Sequence, residues 1–392
     1  MMLKKYLASF VVFILGLQAL STVQAQQLVP APPELAAKAW ILVDATTGRV
    51  LIDNNADMQL PPASLAKMMT SYIVSGEIAA GRLKKDDLVL ISDNAWEKGG
   101  AKTDGSTMFL SPRTKVSVSD LIRGVIIQSG NDASIALAEH ISGGESAFAD
   151  EMNQQAAMLG MTSTDYYNAT GLPEEGMVTT ARDLSLLARA IIRDYPEHYS
   201  IYSEKYFKYN NINQPNRNRL LWRDSSVDGL KTGHTNAAGY CLVASAERRG
   251  MRLISVVLGA DSDAARARET QKLLSFGFRH YDTKTIYSAG DTIKENAKVW
   301  FGEQEFVNLT IADDVTLTLP RGSQNQLSAN ILVDEQIEAP IVAGQELGRL
   351  QVSLNDELLI DTPLVAEQNV EPSGIFSRLV DWIVLFITRL MS

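Results

Sequence analysis

A chain of 392 residues that is 45% hydrophobic and 21% charged has the balance of a globular protein with room for two domains, which excludes a disordered chain. Its 46 acidic against 36 basic residues give a formal charge of −10, which disfavours nucleic acid as a partner. A single cysteine, Cys241, excludes an internal disulfide, and between Tyr240, Leu242 and Val243 it reads as a buried core thiol.

In chain order, residues 1–25 read as an export signal: Lys4 and Lys5 make a basic start, residues 7–17 an apolar core too short to span a bilayer, and Val23-Gln24-Ala25 a small-x-small cleavage site. Cleavage after Ala25 would start the mature chain near Gln26. Export without disulfides suggests a bacterial envelope protein held together by its core. Trp40 to Asp44 and Arg49 to Ile52 are β-branched runs around Ala45-Thr46-Thr47-Gly48, the pattern of a hairpin. After Pro61-Pro62 a helical pattern begins, with Leu65, Met68, Met69, Tyr72 and Ile73 on one face. Ser64 and Lys67, at i and i+3, then share a side of that helix, and the amine can reach the hydroxyl.

Residues 88–115 show no sustained periodicity, and Gly99, Gly100 and Gly105 mark loops. Ser117 to Asp120 caps a helix carrying Leu121, Ile122, Val125, Ile126 and Ile127; it stops at Gln128-Ser129-Gly130, and a new helix starts at Asn131-Asp132. Helices are predicted near 146–159 and 180–193, strands at 230–232, 239–246 and 253–259, and a helix over 264–281. Early and late strands around a block of helices predict one antiparallel sheet with a helical subdomain inserted between its halves, an α/β (α+β) arrangement over residues 26–283. Residues 284–368 read as a small all-β, sandwich-like domain, with alternation at 315–319 and a hairpin of 350–354 with 357–360 across Asn355-Asp356. Residues 369–392 form a linker and an amphipathic helix. Ser377, Arg378, Asp381, Thr388 and Arg389 fall on one side, Phe376, Leu379, Ile383, Phe386, Ile387 and Leu390 on the other. Charges interrupt it too often for a span, so an interfacial membrane anchor is expected.

A serine is a poor nucleophile until a base takes its proton, and a desolvated lysine is such a base. By itself Ser64-x-x-Lys67 describes a helix start as well as a site. Two later motifs change that: Ser129-Gly130-Asn131 in a tight connection between helices, and Lys231-Thr232-Gly233 on a late strand. Ser92-Asp93-Asn94 is a literal Ser-x-Asn too, but it lies too early, directly after a strand-like run.

Ser-x-x-Lys, Ser-x-Asn and Lys-Thr-Gly in this order resemble the penicillin-binding protein and serine β-lactamase superfamily. The runs Leu121-Ile122-Arg123-Gly124, Gln128 to Ala133 and Val227 to Thr235 are similar to the low-molecular-mass D-alanyl-D-alanine carboxypeptidases. The resemblance implies a β-lactamase/transpeptidase-like catalytic domain and a serine D,D-peptidase that trims the terminal D-alanine from peptidoglycan stem peptides. It further implies acylation by β-lactams, no cofactor, and a place at the periplasmic face of the inner membrane.

By the same resemblance Ser64 is the nucleophile and Lys67 its base. Ser129 relays a proton to the leaving amine, and Asn131 holds the substrate amide or the Lys67 side chain. Lys231 and Thr232 face the terminal carboxylate, and the backbone N–H groups of Ser64 and His234 form an oxyanion hole. Gly233 is expected to clear the path of a peptide lying along its strand. An arginine further on assists with the carboxylate; Arg266 and Arg268 both qualify by position, and Arg268 is taken as the contact.

Asp183 fits either a site carboxylate or the capping box Thr180-Ala181-Arg182-Asp183. His140, His198 and His280 lack metal-ligand spacing, so no metal is expected. Among rivals, a class A β-lactamase would need a Glu-x-x-x-Asn pattern that is missing between Asn131 and Lys231. A non-catalytic wall-binding protein would have no need of Ser64 and Lys67. D,D-endopeptidase action on cross-links shares every motif.

Overall fold

The computed structural model describes residues 29–391; the expected export signal lies outside them. Five antiparallel strands form the main sheet, in the order Val50–Asn54, Ala39–Asp44, Met251–Ala260, Gly239–Arg248, Val227–Thr235. The Ala39–Asp44 strand is buried throughout because both faces of the sheet are covered. Ile41, Val43, Ile254 and Val256 join the large core shared with the inserted helices. The alternate residues Leu42 and Leu253 face the opposite way, close against Gly277 of the Asp263–His280 helix. This period of two places one helical layer on each side of the sheet.

The inserted block contains the helices Lys67–Ala79, Val118–Arg123, Asn131–Ser142, Glu145–Met158 and Ala181–Asp194. The strand-like run before Ser92 is the strand Leu88–Leu90. Two features escape the sequence pattern: its partner strand Lys115–Ser117 and a seven-residue helix, Asp93–Gly99, both in the stretch without periodicity. Ser92 is the N-cap of that helix, accepting from Ala95 N at 2.8 Å, so the early Ser-x-Asn is a structural cap. The predicted helix before Ser129 also changes character: Gly124–Gln128 is a π-turn that delivers Ser129 in a left-handed conformation, φ 60°.

The second domain starts at Tyr281 with no linker, as the Asp263–His280 helix runs directly into the strand Tyr281–Tyr287; the sequence-based boundary at 283/284 cuts through that strand. A six-stranded and a two-stranded sheet enclose a core that includes Leu309, Leu317, Leu350 and Leu364. The Asn355-Asp356 turn has φ 49° and 68°, as a two-residue hairpin requires. The domain is braced on the first hairpin. Thr283 Oγ1 donates to Asp44 Oδ2 (2.6 Å), Arg49 Nη1 to the Thr318 carbonyl (2.7 Å), and Thr47 and Thr318 hydroxyls meet at 2.7 Å. The final helix, Ile375–Met391, touches this domain through Asp381, which accepts from Phe301 N, and through Arg389, which donates to Gln336. Its Phe376, Leu379, Trp382, Phe386 and Leu390 side chains are exposed. No helix among the described residues is long and apolar enough to cross a membrane.

Candidate active site

Ser64 stands in a 3-10 turn, Ala63–Ala66, which continues as the Lys67–Ala79 helix. The residue before it, Ala63, is held at φ 48°, a left-handed conformation that persists only where the surroundings impose it. The N-cap positions here are Pro62 for the turn and Ala66 for the helix, so Ser64 is not spent on capping the helix start. Instead its Oγ lies 3.3 Å from Lys67 Nζ. Lys67 is 1% exposed, and its Nζ also donates to Asn131 Oδ1 at 2.7 Å and to the Thr170 carbonyl at 2.5 Å. Burial drives the Lys67 pKa down to about 7, with the nearby Asp132 carboxylate working the other way.

Ser129 enters from the other side of the cleft. Lys231 Nζ donates to Ser129 Oγ (2.8 Å) and to the Thr232 carbonyl (3.0 Å) and is equally buried. Burial first, then the cations Lys67, Arg217 and Arg266, hold its pKa well below the usual lysine range. Direct side-chain contacts thus join Ser64, Lys67 and Asn131 in one cluster and Ser129 and Lys231, 102 residues apart, in a second, and Ser64, Ser129 and Asn131 line one cleft. A cleft of about 520 Å³ opens over them, walled by Thr232, Gly233, His234, Tyr240 and Arg266. The His234 ring is exposed and stacks on Tyr240 with centroids 4.0 Å apart.

One sequence expectation changes and another gains a second reason. Arg268 does not reach the cleft: its Nε pairs with Glu269 at 2.9 Å, and its side chain is 57% exposed. Two residues along a helix is about 200° around its axis, so one of the two arginines has to face away. Arg266 is the one that lines the cleft, donating to the Gly233 carbonyl at 3.0 Å. Gly233, which lines the cleft, has a packing reason beside the one expected. A Cβ there would point at Pro62 O, Ala63 Cβ and Leu65 Cγ, all within 3.2–3.3 Å, so the glycine lets its strand close onto the turn that carries Ser64. Asp183 lies outside the cleft: its N–H bonds the Thr180 hydroxyl, and its carboxylate accepts from Ser163 N and Thr164 Oγ1.

Sequence reasoning missed the loop over residues 168–172 and the role of Asp132. Asn168 Oδ1 accepts from both Thr170 N and Gly171 N, an Asx-type turn that aims the Thr170 carbonyl at Lys67. Gly171, at φ 78°, packs so tightly on Ala63 that a Cβ would lie 1.7 Å from its carbonyl oxygen. Asn-x-Thr-Gly between two helices was the available signal. Asp132, fully buried, accepts from Thr107 Oγ1, Met108 N, Leu110 N and Ala133 N, and so fixes the opposite wall.

Because Arg266 and not Arg268 faces the cleft, Arg266→Ala is expected to raise KM for a peptide ending in D-Ala-D-Ala by about 10- to 100-fold, the worth of a charge-assisted hydrogen bond. Arg268→Ala should change it by less than about twofold, as exposed ion pairs contribute little. Steady-state kinetics on both variants decides between the two arginines.

Comparison with known proteins agrees with this geometry. Residues 26–262 match the D-alanyl-D-alanine carboxypeptidase family model, and residues 281–372 match that of the penicillin-binding protein 5 C-terminal domain. The D-alanyl-D-alanine carboxypeptidase DacC of Escherichia coli (strain K12) is 46% identical over 92% of this chain and 90% of its own length. DacA of Haemophilus influenzae is 41% identical over 99% of this chain and 98% of its own. The crystal structure of penicillin binding protein 5 from Haemophilus influenzae superposes with a TM-score of 0.81 at 41% identity, covering 87% of this chain and 99% of that one. With a family model matched across the sheet, the inserted helices and all three motifs, the chain belongs to the D-alanyl-D-alanine carboxypeptidase family.

Proposed function

We propose that the protein is a serine-type D-alanyl-D-alanine carboxypeptidase that removes the terminal D-alanine from peptidoglycan pentapeptides through an acyl-enzyme on Ser64, and that penicillins acylate the same oxygen. The observation that carries this is the set of three partners around Lys67 Nζ. A neutral amine has two N–H bonds and one lone pair. Asn131 Oδ1 and the Thr170 carbonyl are pure acceptors and take the two N–H bonds, which leaves the lone pair for the Ser64 hydroxyl proton. A pKa near 7 keeps a large share of Lys67 in that form at neutral pH.

The steps follow from the placement of each group. Ser64 Oγ attacks the carbonyl between the two D-alanines as its proton passes to Lys67. The backbone N–H groups of Ser64 and His234 stabilise the resulting oxyanion. Lys67 gives up that proton through the Ser129 hydroxyl, itself bridged to Lys231, to the leaving amine as the C–N bond breaks, which returns Lys67 to its neutral form. Lys67 then takes a proton from the water that hydrolyses the ester and returns it to Ser64 Oγ as the acyl group leaves. The substrate's carboxylate meets Thr232, Arg266 and Lys231, and its charge favours the protonated form of Lys231 that burial disfavours.

Release of D-alanine from a peptide ending in D-Ala-D-Ala tests the reading: wild type should release it and Ser64→Ala should not. Absence of release from well-folded wild type would refute it. For location we propose export and attachment to the periplasmic face of the inner membrane through the helix Ile375–Met391, on the strength of its exposed apolar face. Removing residues 374–392 should move the protein from the membrane to the soluble fraction on fractionation; unchanged partition would count against the anchor.

A further inference from the structure

The cleft over Ser64 carries more cations than carboxylates. Arg219 and Arg266 meet at Asp263 and make an arginine end of the cleft, which Arg217 and Asp104 also line. Past Thr235 the cleft adjoins a second cavity of about 300 Å³, where Pro61, Pro62, Leu172 and Met177 are accompanied by Glu174 and Glu175 and by no cation. The strand residues Thr232, Gly233, His234 and Thr235 lead from the first region to the second. A peptide with a free terminal carboxylate therefore lies with its last residue at the arginine end and its acyl chain directed past Thr235.

One contact at the arginine end is not explained by binding a carboxylate. Asp263, in the first turn of the Asp263–His280 helix, pairs through Oδ1 with Arg266. Its Oδ2 lies 2.7 Å from Nε of Arg219, which comes from the separate segment preceding the Leu220–Arg223 helix. The contact is ionic without hydrogen-bond alignment, so Oδ2 is a buried carboxylate oxygen that accepts no hydrogen bond and is covered by the guanidinium. Arg219 itself is 60% exposed and leans across the cleft from one wall to the other.

We propose that the Arg219–Asp263 pair is the end stop of the leaving-group site: it restricts cleavage to a terminal residue with a small side chain and excludes the long leaving residue of a peptide cross-link. This rests on the carboxypeptidase reading and adds the substrate class to it. A leaving D-alanine presents a carboxylate and a methyl group, which fit inside the pair. A leaving residue that continues as a long side chain has to displace the Arg219 guanidinium and leave Asp263 with one partner fewer. Without Arg219 the same place is open, and the uncovered Oδ2 is an acceptor for an ammonium group on that side chain. Removing one side chain thus turns a barrier into an attraction.

The test uses two peptides that differ only in the last residue, D-alanine or D-lysine, and a purified cross-linked muropeptide dimer, with kcat/KM measured for each. Wild type should prefer D-alanine by about 100-fold or more, and Arg219→Gly should narrow that ratio by at least about 10-fold, the scale on which a filled or emptied pocket discriminates. Arg219→Gly should also gain cleavage of the dimer, while Arg219→Lys, which keeps a cation over Asp263, should retain most of the wild-type preference. A wild type that releases D-lysine as readily as D-alanine, or an Arg219→Gly ratio within about twofold of wild type, overturns the end stop. A wild type that releases neither residue overturns the carboxypeptidase reading instead, so the two failures are separable.

Discussion

Lys67→Met should abolish acylation while leaving the fold intact: penicillin labelling and D-alanine release are expected to fall by about 10³-fold or more, toward the upper end of what a positioned base contributes. Methionine fills nearly the same volume in a site that is 1% exposed, so the loss is chemical and not a collapse of the core. In wild type the acylation rate should rise with pH to a plateau above pH 7, following the neutral fraction of Lys67, whose pKa burial lowers to about 7. The same shift has a consequence for stability. The unfolded chain holds the Lys67 proton up to about pH 10.5, whereas the folded chain releases it near 7. Between those values the unfolded state binds more protons, so wild-type stability rises with pH across that window and is flat below it. Relative to Lys67→Met, wild type should therefore gain stability on the order of 4 kcal/mol between pH 6 and 10. Urea denaturation at several pH values measures this. A difference that stays constant with pH would mean that Lys67 is not buried as a neutral amine.

The largest structural effect is expected at Asp132. Its carboxylate satisfies three backbone N–H groups and the Thr107 hydroxyl at 2.7–3.0 Å, all buried. Asp132→Ala strands these donors and should cost about 3–5 kcal/mol. Asp132→Asn keeps the shape but offers one accepting oxygen where there were two, and turns an N–H donor toward other donors, so about 2 kcal/mol is expected. Because the Asp132 charge raises the Lys67 pKa, removing it should also move the acidic limb of the pH profile to lower pH. Chemical denaturation gives the first effect and the pH profile of penicillin acylation the second; an unmoved limb would contradict the electrostatic link between the two residues.

Much of this architecture was legible because it rests on local periodicity. The hairpin before Ser64, the helices on either side of Ser129 and the two late strands of the sheet beyond Lys231 follow alternation or 3.6-residue spacing, and structure and sequence place them within a few residues of each other. The Asn355-Asp356 turn was equally plain, since two consecutive positive φ values favour those residue types. What stayed hidden depends on long-range packing. The choice between Arg266 and Arg268 is set by which face of their helix meets the sheet, and composition is silent on that. The Thr170 carbonyl reaches Lys67 across 103 residues, through a loop whose only local mark is an Asx turn. The packing reason for Gly233 was hidden because the strand's neighbour there is the Ser64 turn itself, a contact that appears only once both are folded.

The central claim is that Ser64 is acylated because Lys67 deprotonates it. It is tested most directly by incubating the protein with benzylpenicillin, weighing the intact chain and mapping the adduct by peptide digestion. One adduct on the peptide containing Ser64, absent from Ser64→Ala and slowed by about 10³-fold in Lys67→Met, is the predicted result. An adduct on another residue, or one that forms at the wild-type rate in either variant, would contradict it.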